Sequence, residues 1–106
     1  MKPVDLSVVD YICKSERESE DKTIFKIKPM TGMQMYYLGV MVVEKGRAEA
    51  MKFVLTRHLV GWVNFGDAPF TDDMDHNISL LNKDVILEIS DELERLSGIS
   101  EEEEKN

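Results

Sequence analysis

Cysteine occurs once in the chain, at Cys13. A lone cysteine excludes an internal disulfide framework, and without Cys or His neighbours it makes neither a metal knuckle nor a CxxC redox pair. A buried or indifferent thiol is expected. Histidine is also scarce, with two residues, His58 and His76. Glycine-rich phosphate loops, nucleophile elbows and HExxH patterns are missing. Carboxylate pairs are common, but they stand in water-facing runs where nothing shifts their pKa values. These gaps predict that the chain is not an enzyme, with no catalytic residues, metal or cofactor. No run approaches the roughly 20 apolar residues that a membrane span requires. Basic charge is in deficit, with 13 Lys and Arg against 21 Asp and Glu. The resulting net charge of −8 argues against binding nucleic acid or an anionic membrane, whose phosphates would be repelled.

What is present fits a single small domain. At 106 residues, 42% hydrophobic and 32% charged, the chain can build one core but not two. Residues 1–99 are expected to form it, and residues 100–106, with their EEEE run, an acidic frayed tail. The start, MKPVDLSVVDY, has one lysine and an early acidic residue, unlike a signal peptide, so a cytoplasmic setting is expected. Charge is uneven along the chain. Residues 29–66 carry four basic and two acidic residues, whereas residues 67–106 carry three basic and thirteen acidic ones. Such asymmetry suits a basic partner, head-to-tail self-association or simple solubility.

The organising stretch is EAMKFVLTRHLVGWVNF, from Glu49 to Phe65. Met51, Val54, Leu55, Leu59 and Trp62 share one helical face, with Glu49, Lys52, Thr56 and Arg57 opposite. The spacing predicts a helix stopped by Gly61, with Trp62 and Phe65 folded back over its end, as core or lining a partner surface. Upstream, TIFKIK (23–28) alternates as a strand, and its lysines fit an exposed face or a guarded edge. Val4 to Cys13 fits an edge strand or a short helix, and KSERESEDK (14–22) a loop.

Pro29 ends the strand, and Thr31 with Gln34 forms a capping box that opens a helix from about Gly32 to Glu44. Its middle, MYYLGVMVV (35–43), is apolar all round and fits a buried helix or a buried strand; the capping box favours helix. Lys45-Gly46 breaks it, which gives an antiparallel helical hairpin. Met30, Met33, Met35, Met41 and Met51 concentrate in this region. Thioether side chains adapt to irregular partners, so they serve as core filler or as a binding groove. His58 flanks the stripe of the second helix, where a hydrogen-bonded structural role is expected. GDAPFTDDMDHN (66–77) reads as an acidic loop. Asp72, Asp73, Asp75 and His76 crowd there but lack the glycine and terminal glutamate of a calcium loop, so a solvated loop is expected. Asn82 should cap a helix from Lys83 to about Ser97, with Val85, Ile86, Ile89, Leu93 and Leu96 as its apolar stripe and Gly98 as its stop; Ser100 and Glu103 fit a further cap. The expected fold class is α+β, mainly α: a helical hairpin plus a third packed helix with a short N-terminal β-strand or hairpin.

The order of parts is itself distinctive. DKTIFKIKPMTG, from Asp21 to Gly32, fits D-x-T-x-F-x-[IL]-x-P-[ML]-[TD]-G and precedes a segment ending in LVGWxNF, Leu59 to Phe65. An acidic loop, Asn77, the pair Leu80-Leu81 and a helix closing in LSGISEEEEKN follow. This order resembles small proteins encoded beside the tail genes of tailed bacteriophages and prophages, some of which look like tail assembly chaperones. Where such relatives often carry a second glycine after Phe65-Gly66-Asp67, this chain has a compact DAPFT. The resemblance implies no catalytic residue. It implies a binding protein that masks apolar helices of a tail protein, tape-measure or tail tube, in the host cytoplasm. The partner surface is then expected at Met33, Tyr36, Tyr37, Met41 and Trp62, residues that are equally the best core candidates. Homo-oligomerisation stays open. Other readings are a virion subunit, such as a head-tail connector or tail-completion protein, or an acidic inhibitor of a host nuclease or DNA-binding protein. A metal enzyme built on the Asp72 to His76 cluster comes last.

Overall fold

The computed structural model describes residues 1–98. The acidic tail expected at 100–106 and the cap expected from Ser100 and Glu103 lie outside the described residues. In chain order the elements are β1 (Val9–Tyr11), a 3-10 turn (Lys14–Glu16), β2 (Ile24–Ile27), α1 (Gly32–Lys45), α2 (Arg47–His58), β3 (Leu59–Val63), α3 (Met74–Ser79) and α4 (Lys83–Ser97). The fold is α+β and mainly α, with α1 and α2 as a hairpin, α4 packed against both, and a small antiparallel sheet of order β1-β2-β3.

β2 is central in the sheet because its alternation serves two environments. Phe25 and Ile27 are buried against the helices, while Ile24 and Lys26 lie half-buried on the opposite face. The ammonium group of Lys26 reaches Asp10 on β1 at 2.6 Å, next to the backbone pairs Val9 with Ile27 and Tyr11 with Phe25. The segment that was open between strand and helix therefore supplies the edge strand β1.

The helix expected to run to Gly61 ends three residues earlier, at His58, and Leu59–Val63 pairs with β2 instead. Two facts account for this difference. β2 needs a partner for the backbone groups of its second edge, and Val60 and Val63 are β-branched residues suited to a strand. The helical reading put Leu59 and Trp62 on one face because they are three apart, and in a regular strand that spacing would put them on opposite faces. A register shift sets Gly61 opposite Lys26 but Leu59 opposite Ile27. One extra residue is inserted there, a bulge that turns both Leu59 and Trp62 inward. β3 leaves the sheet at Asn64, whose φ of 60° is left-handed; its amide donates to the Lys22 carbonyl at 3.1 Å.

α1, α3 and α4 begin where side chains cap them, whereas α2 has no side-chain cap. The Thr31 hydroxyl accepts from the Gln34 N–H at 3.1 Å, and the Gln34 side chain accepts from the Thr31 N–H at 2.8 Å, completing the expected capping box. Asn82 caps α4 by accepting from the Val85 N–H at 2.9 Å. Between α1 and α2 the single residue Gly46 turns the chain with φ 92°, a value that L side chains rarely adopt. The expected loop at 66–77 is shorter than the sequence suggested, since α3 begins at Met74 with Asp73 as its cap. Asn77 is fully buried and holds that loop together: its amide donates to the Thr71 carbonyl at 2.8 Å and accepts from the Thr71 N–H at 3.1 Å.

The core sits between the sheet, α2 and α4, with Ile27, Met30, Leu55, Leu59, Ile89 and Leu93 fully enclosed. Two polar ties fix α4. Its Ser97 hydroxyl accepts from the Met30 N–H at 2.7 Å, and its Glu88 carboxylate accepts from the Tyr11 hydroxyl at 2.7 Å and the Lys14 N–H at 2.8 Å. Burial pushes the enclosed Cys13 thiol up to about 12, aided by the nearby Glu88 charge, so it stays protonated and unreactive near neutral pH.

His58 closes α2. Its Nδ1 lies 2.8 Å from the Lys28 carbonyl oxygen, and the Lys28 N–H donates to the His58 carbonyl at 2.8 Å. A carbonyl only accepts, so Nδ1 carries the proton. Burial holds the His58 pKa below its ordinary value of 6.5; the bond to Lys28 works against this, and the charges of Lys28 and Arg57 add to it. The unfolded chain therefore binds the second ring proton, at Nε2, more tightly, and stability falls as pH drops below about 6.5. Melting temperatures at pH 7 and pH 5.5 should show that loss in the native protein. His58→Asn retains a short N–H donor but cannot titrate, so its loss should be smaller; an equal loss in both proteins would exclude His58 as the source.

Candidate functional site

The residue types that make α1 apolar all round are divided by the fold into two stripes. Leu38 is the only buried residue of the helix, and Met35 and Met41 pack beside it against the core. The other stripe has no partner among the described residues. Met33 is 62% exposed, Tyr36 69%, Tyr37 60% and Val43 86%, with Val40 between them. These five fall at i, i+3, i+4, i+7 and i+10, the spacing of one helical face. No charged side chain occurs from Met33 to Val43. Tyr36 and Tyr37 stand edge to face with ring centroids 6.3 Å apart. Scattered exposed apolar residues are ordinary, whereas this run is contiguous, which makes it the candidate surface. Among the described residues no helix is long and apolar enough to cross a bilayer.

Beside this face, α1 and α2 line an apolar cleft of about 470 Å³. Tyr37 and Met41 wall it from α1, Phe53 and Val54 from α2, and Met30 and His58 are also part of its lining. The Arg57 guanidinium lies 4.3 Å over the Phe53 ring at its rim. Stacking of this kind holds the charge in place and leaves its N–H groups able to meet an acceptor.

Of the residues expected to form a partner surface, Met33, Tyr36 and Tyr37 lie together on the outer face and Met41 lies in the cleft wall. Trp62 does not join them. It is only 8% exposed, its indole N–H donates to the Ala68 carbonyl at 2.9 Å, and Phe25, Phe65 and Phe70 pack edge-on around it. An indole committed in this way shapes the loop after β3 and offers nothing to a partner. Sequence reasoning missed Val40, Val43, Phe53 and Arg57. The spacing of Val40 and Val43 from Met33 was legible, but the inner stripe of Met35, Leu38 and Met41 has the same character, so periodicity did not separate inside from outside. Asp72, Asp73, Asp75 and His76 do not converge, and among the described residues no three His, Cys, Asp or Glu side chains gather where a metal ion would sit.

No protein family profile matches the chain, and neither does any curated protein or solved structure.

The two stripes predict opposite responses to truncation. Leu38→Ala should lower stability by about 2–4 kcal/mol, and Tyr36→Ala should leave it within about 0.5 kcal/mol. Gly39, in the exposed middle of α1 with open space around its Cα, should give about 0.5–1 kcal/mol of added stability as Gly39→Ala. Urea titration of the three variants checks all three values, and a Tyr36→Ala loss as large as that of Leu38→Ala would mean that the outer face is packed.

Proposed function

We propose that this protein acts by binding and not by catalysis, as a chaperone in the assembly of a bacteriophage or prophage tail. The observation that carries the reading is the uncharged outer face of α1, from Met33 to Val43, which is unpartnered among the described residues. The sequence resemblance supplies the setting, and the exposed face supplies the means. A tape-measure or tail-tube subunit presents apolar helices before it polymerises. Covering them with the face of α1 keeps them from aggregating until assembly displaces the chaperone. Met33 and Met41 suit the task because unbranched thioethers repack against helices of different shape. Acidic residues elsewhere on the chain keep the complex dispersed in the host cytoplasm.

The test is co-purification of the tagged protein with the tail proteins encoded beside it, followed by mass analysis of the complex and of finished particles. Recovery with the tape-measure or tube protein and absence from particles is expected, together with loss of recovery in Tyr36→Ser and Val43→Ser. Presence in particles would make the protein a virion subunit. Recovery of a basic host protein in place of any tail protein, with binding that weakens in salt, would make it an inhibitor.

A further inference from the structure

The chemistry of the binding partner can be read from the groove beside α1, granted the reading that α1 is a protein-binding element. The 470 Å³ cleft does not stand alone. A second cavity of about 330 Å³ shares Gln34, Arg57 and His58 with it and extends to Lys28. A third, also of about 330 Å³, shares Met41, Lys45, Phe53 and Arg57 and extends to Lys52. The three run into one groove along α2, a helix of 12 residues and so about 18 Å long. Its central cleft is mostly apolar and walled by α1 and α2, a shape that receives a third helix, and its end at Lys28 is polar, with Leu6, Pro29 and Thr31 in the wall.

Charge selects among helices. Residues 28–66 carry five basic and two acidic side chains, a net of +3, in a chain whose total is −8. Four of those cations, Lys28, Lys45, Lys52 and Arg57, line the groove, where they face Glu44, Glu49 and Asp75. Lys52 is paired with Asp75 at 3.5 Å, whereas among the described residues Lys28, Lys45 and Arg57 form no ion pair. These three occur along the length of the groove, with Arg57 held over Phe53. We propose that the groove between α1 and α2 seats one amphipathic helix of the partner protein, with a large apolar side chain in the Tyr37–Met41–Phe53 cleft and carboxylates that meet Lys28, Lys45 and Arg57. A second copy of this chain fits less well, because two molecules of net −8 repel and the outer face of α1 carries no charge to set a register.

Two synthetic amphipathic peptides of about five helical turns test this, with identical Leu/Phe faces and either Glu or Lys along both flanks. Fluorescence anisotropy on the intact protein should give at least about tenfold tighter binding for the Glu peptide, with the gap narrowing as salt is added. Arg57→Glu should abolish or reverse the preference. Met41→Lys should abolish binding of both peptides, and Phe53→Ser serves as the second variant if Met41→Lys is less stable by thermal melting. Equal or tighter binding of the Lys peptide overturns the proposal, as does an unchanged preference in Arg57→Glu. A dimer of the native protein that Met41→Lys dissociates would assign the groove to a second copy and also overturn it. The chaperone reading fails separately. Tail protein recovered with Arg57→Glu but not with Tyr36→Ser removes the groove and keeps the chaperone. A Glu peptide seated in the groove of a protein that recovers no tail protein supports the groove and removes the chaperone.

Discussion

The chain passes from α2 to β3 between His58 and Leu59 with no loop between them, so the angle of the hairpin against the sheet depends on what holds that junction. It is held by the reciprocal bonds between His58 and Lys28. Lys28, Pro29 and Met30 form the short link between β2 and the cap of α1. Proline has no N–H to satisfy, and the two N–H groups on either side of it are satisfied by different helices, Lys28 by the His58 carbonyl and Met30 by the Ser97 hydroxyl. One tripeptide thus ties β2 to the end of α2 and the end of α4. The position of α1, which starts just beyond it, follows from the same ties.

That arrangement explains why α1 can expose so much apolar surface without loss of the fold. The helix is anchored at its start by the link and along its length by Leu38, Met35 and Met41, so its hold on the core does not rest on the exposed outer residues. Tyr36 and Tyr37, each more than half exposed, have on the order of 100 Å² apiece left to bury, or roughly 2–3 kcal/mol at about 25 cal/mol per Å². Association has its own entropic cost of at least several kcal/mol, so neither ring suffices alone. Binding of the proposed kind therefore requires several residues of the face to be covered together, which favours a helix lying along α1 over a small molecule touching one point of it.

Much of this was legible in the sequence because local chemistry decided it. Thr31 with Gln34, Asn82, Gly46 and the alternation of β2 each act on residues within a few positions, and the structure follows them. Where the outcome depended on distant residues, the sequence was silent or misleading. Leu59 to Val63 reads as the end of a helix until β2 is known to need a second neighbour, and Trp62 reads equally as core or surface until Ala68 takes its N–H. Asn77 looked like one more polar loop residue, although its amide is the centre of that loop. The candidate site was half visible: Met33, Tyr36 and Tyr37 were singled out, but choosing the outer stripe over the inner one requires knowing where α2 and α4 lie.

Electrostatics around the groove act at two ranges, and the two oppose each other for an acidic partner. Beyond about 10 Å, the Debye length near 0.1 M salt, an approaching acidic helix meets the screened field of a chain with net charge −8 and is weakly repelled. At contact, the exposed cations Lys28, Lys45 and Arg57, without ion pairs among the described residues, would lie within a few ångströms of its carboxylates at the rim of the groove, an attraction that acts at short range and that salt weakens. Charge here does not speed encounter as it would in an oppositely charged pair. It works after contact, by setting register and orientation and by refusing a basic helix with an equally good apolar face. In the proposed complex the repulsive term would keep the apolar face of α1 from collecting acidic proteins indiscriminately, and the local attraction would act only on a helix whose apolar anchor and carboxylates are spaced to match Met41, Phe53 and Arg57.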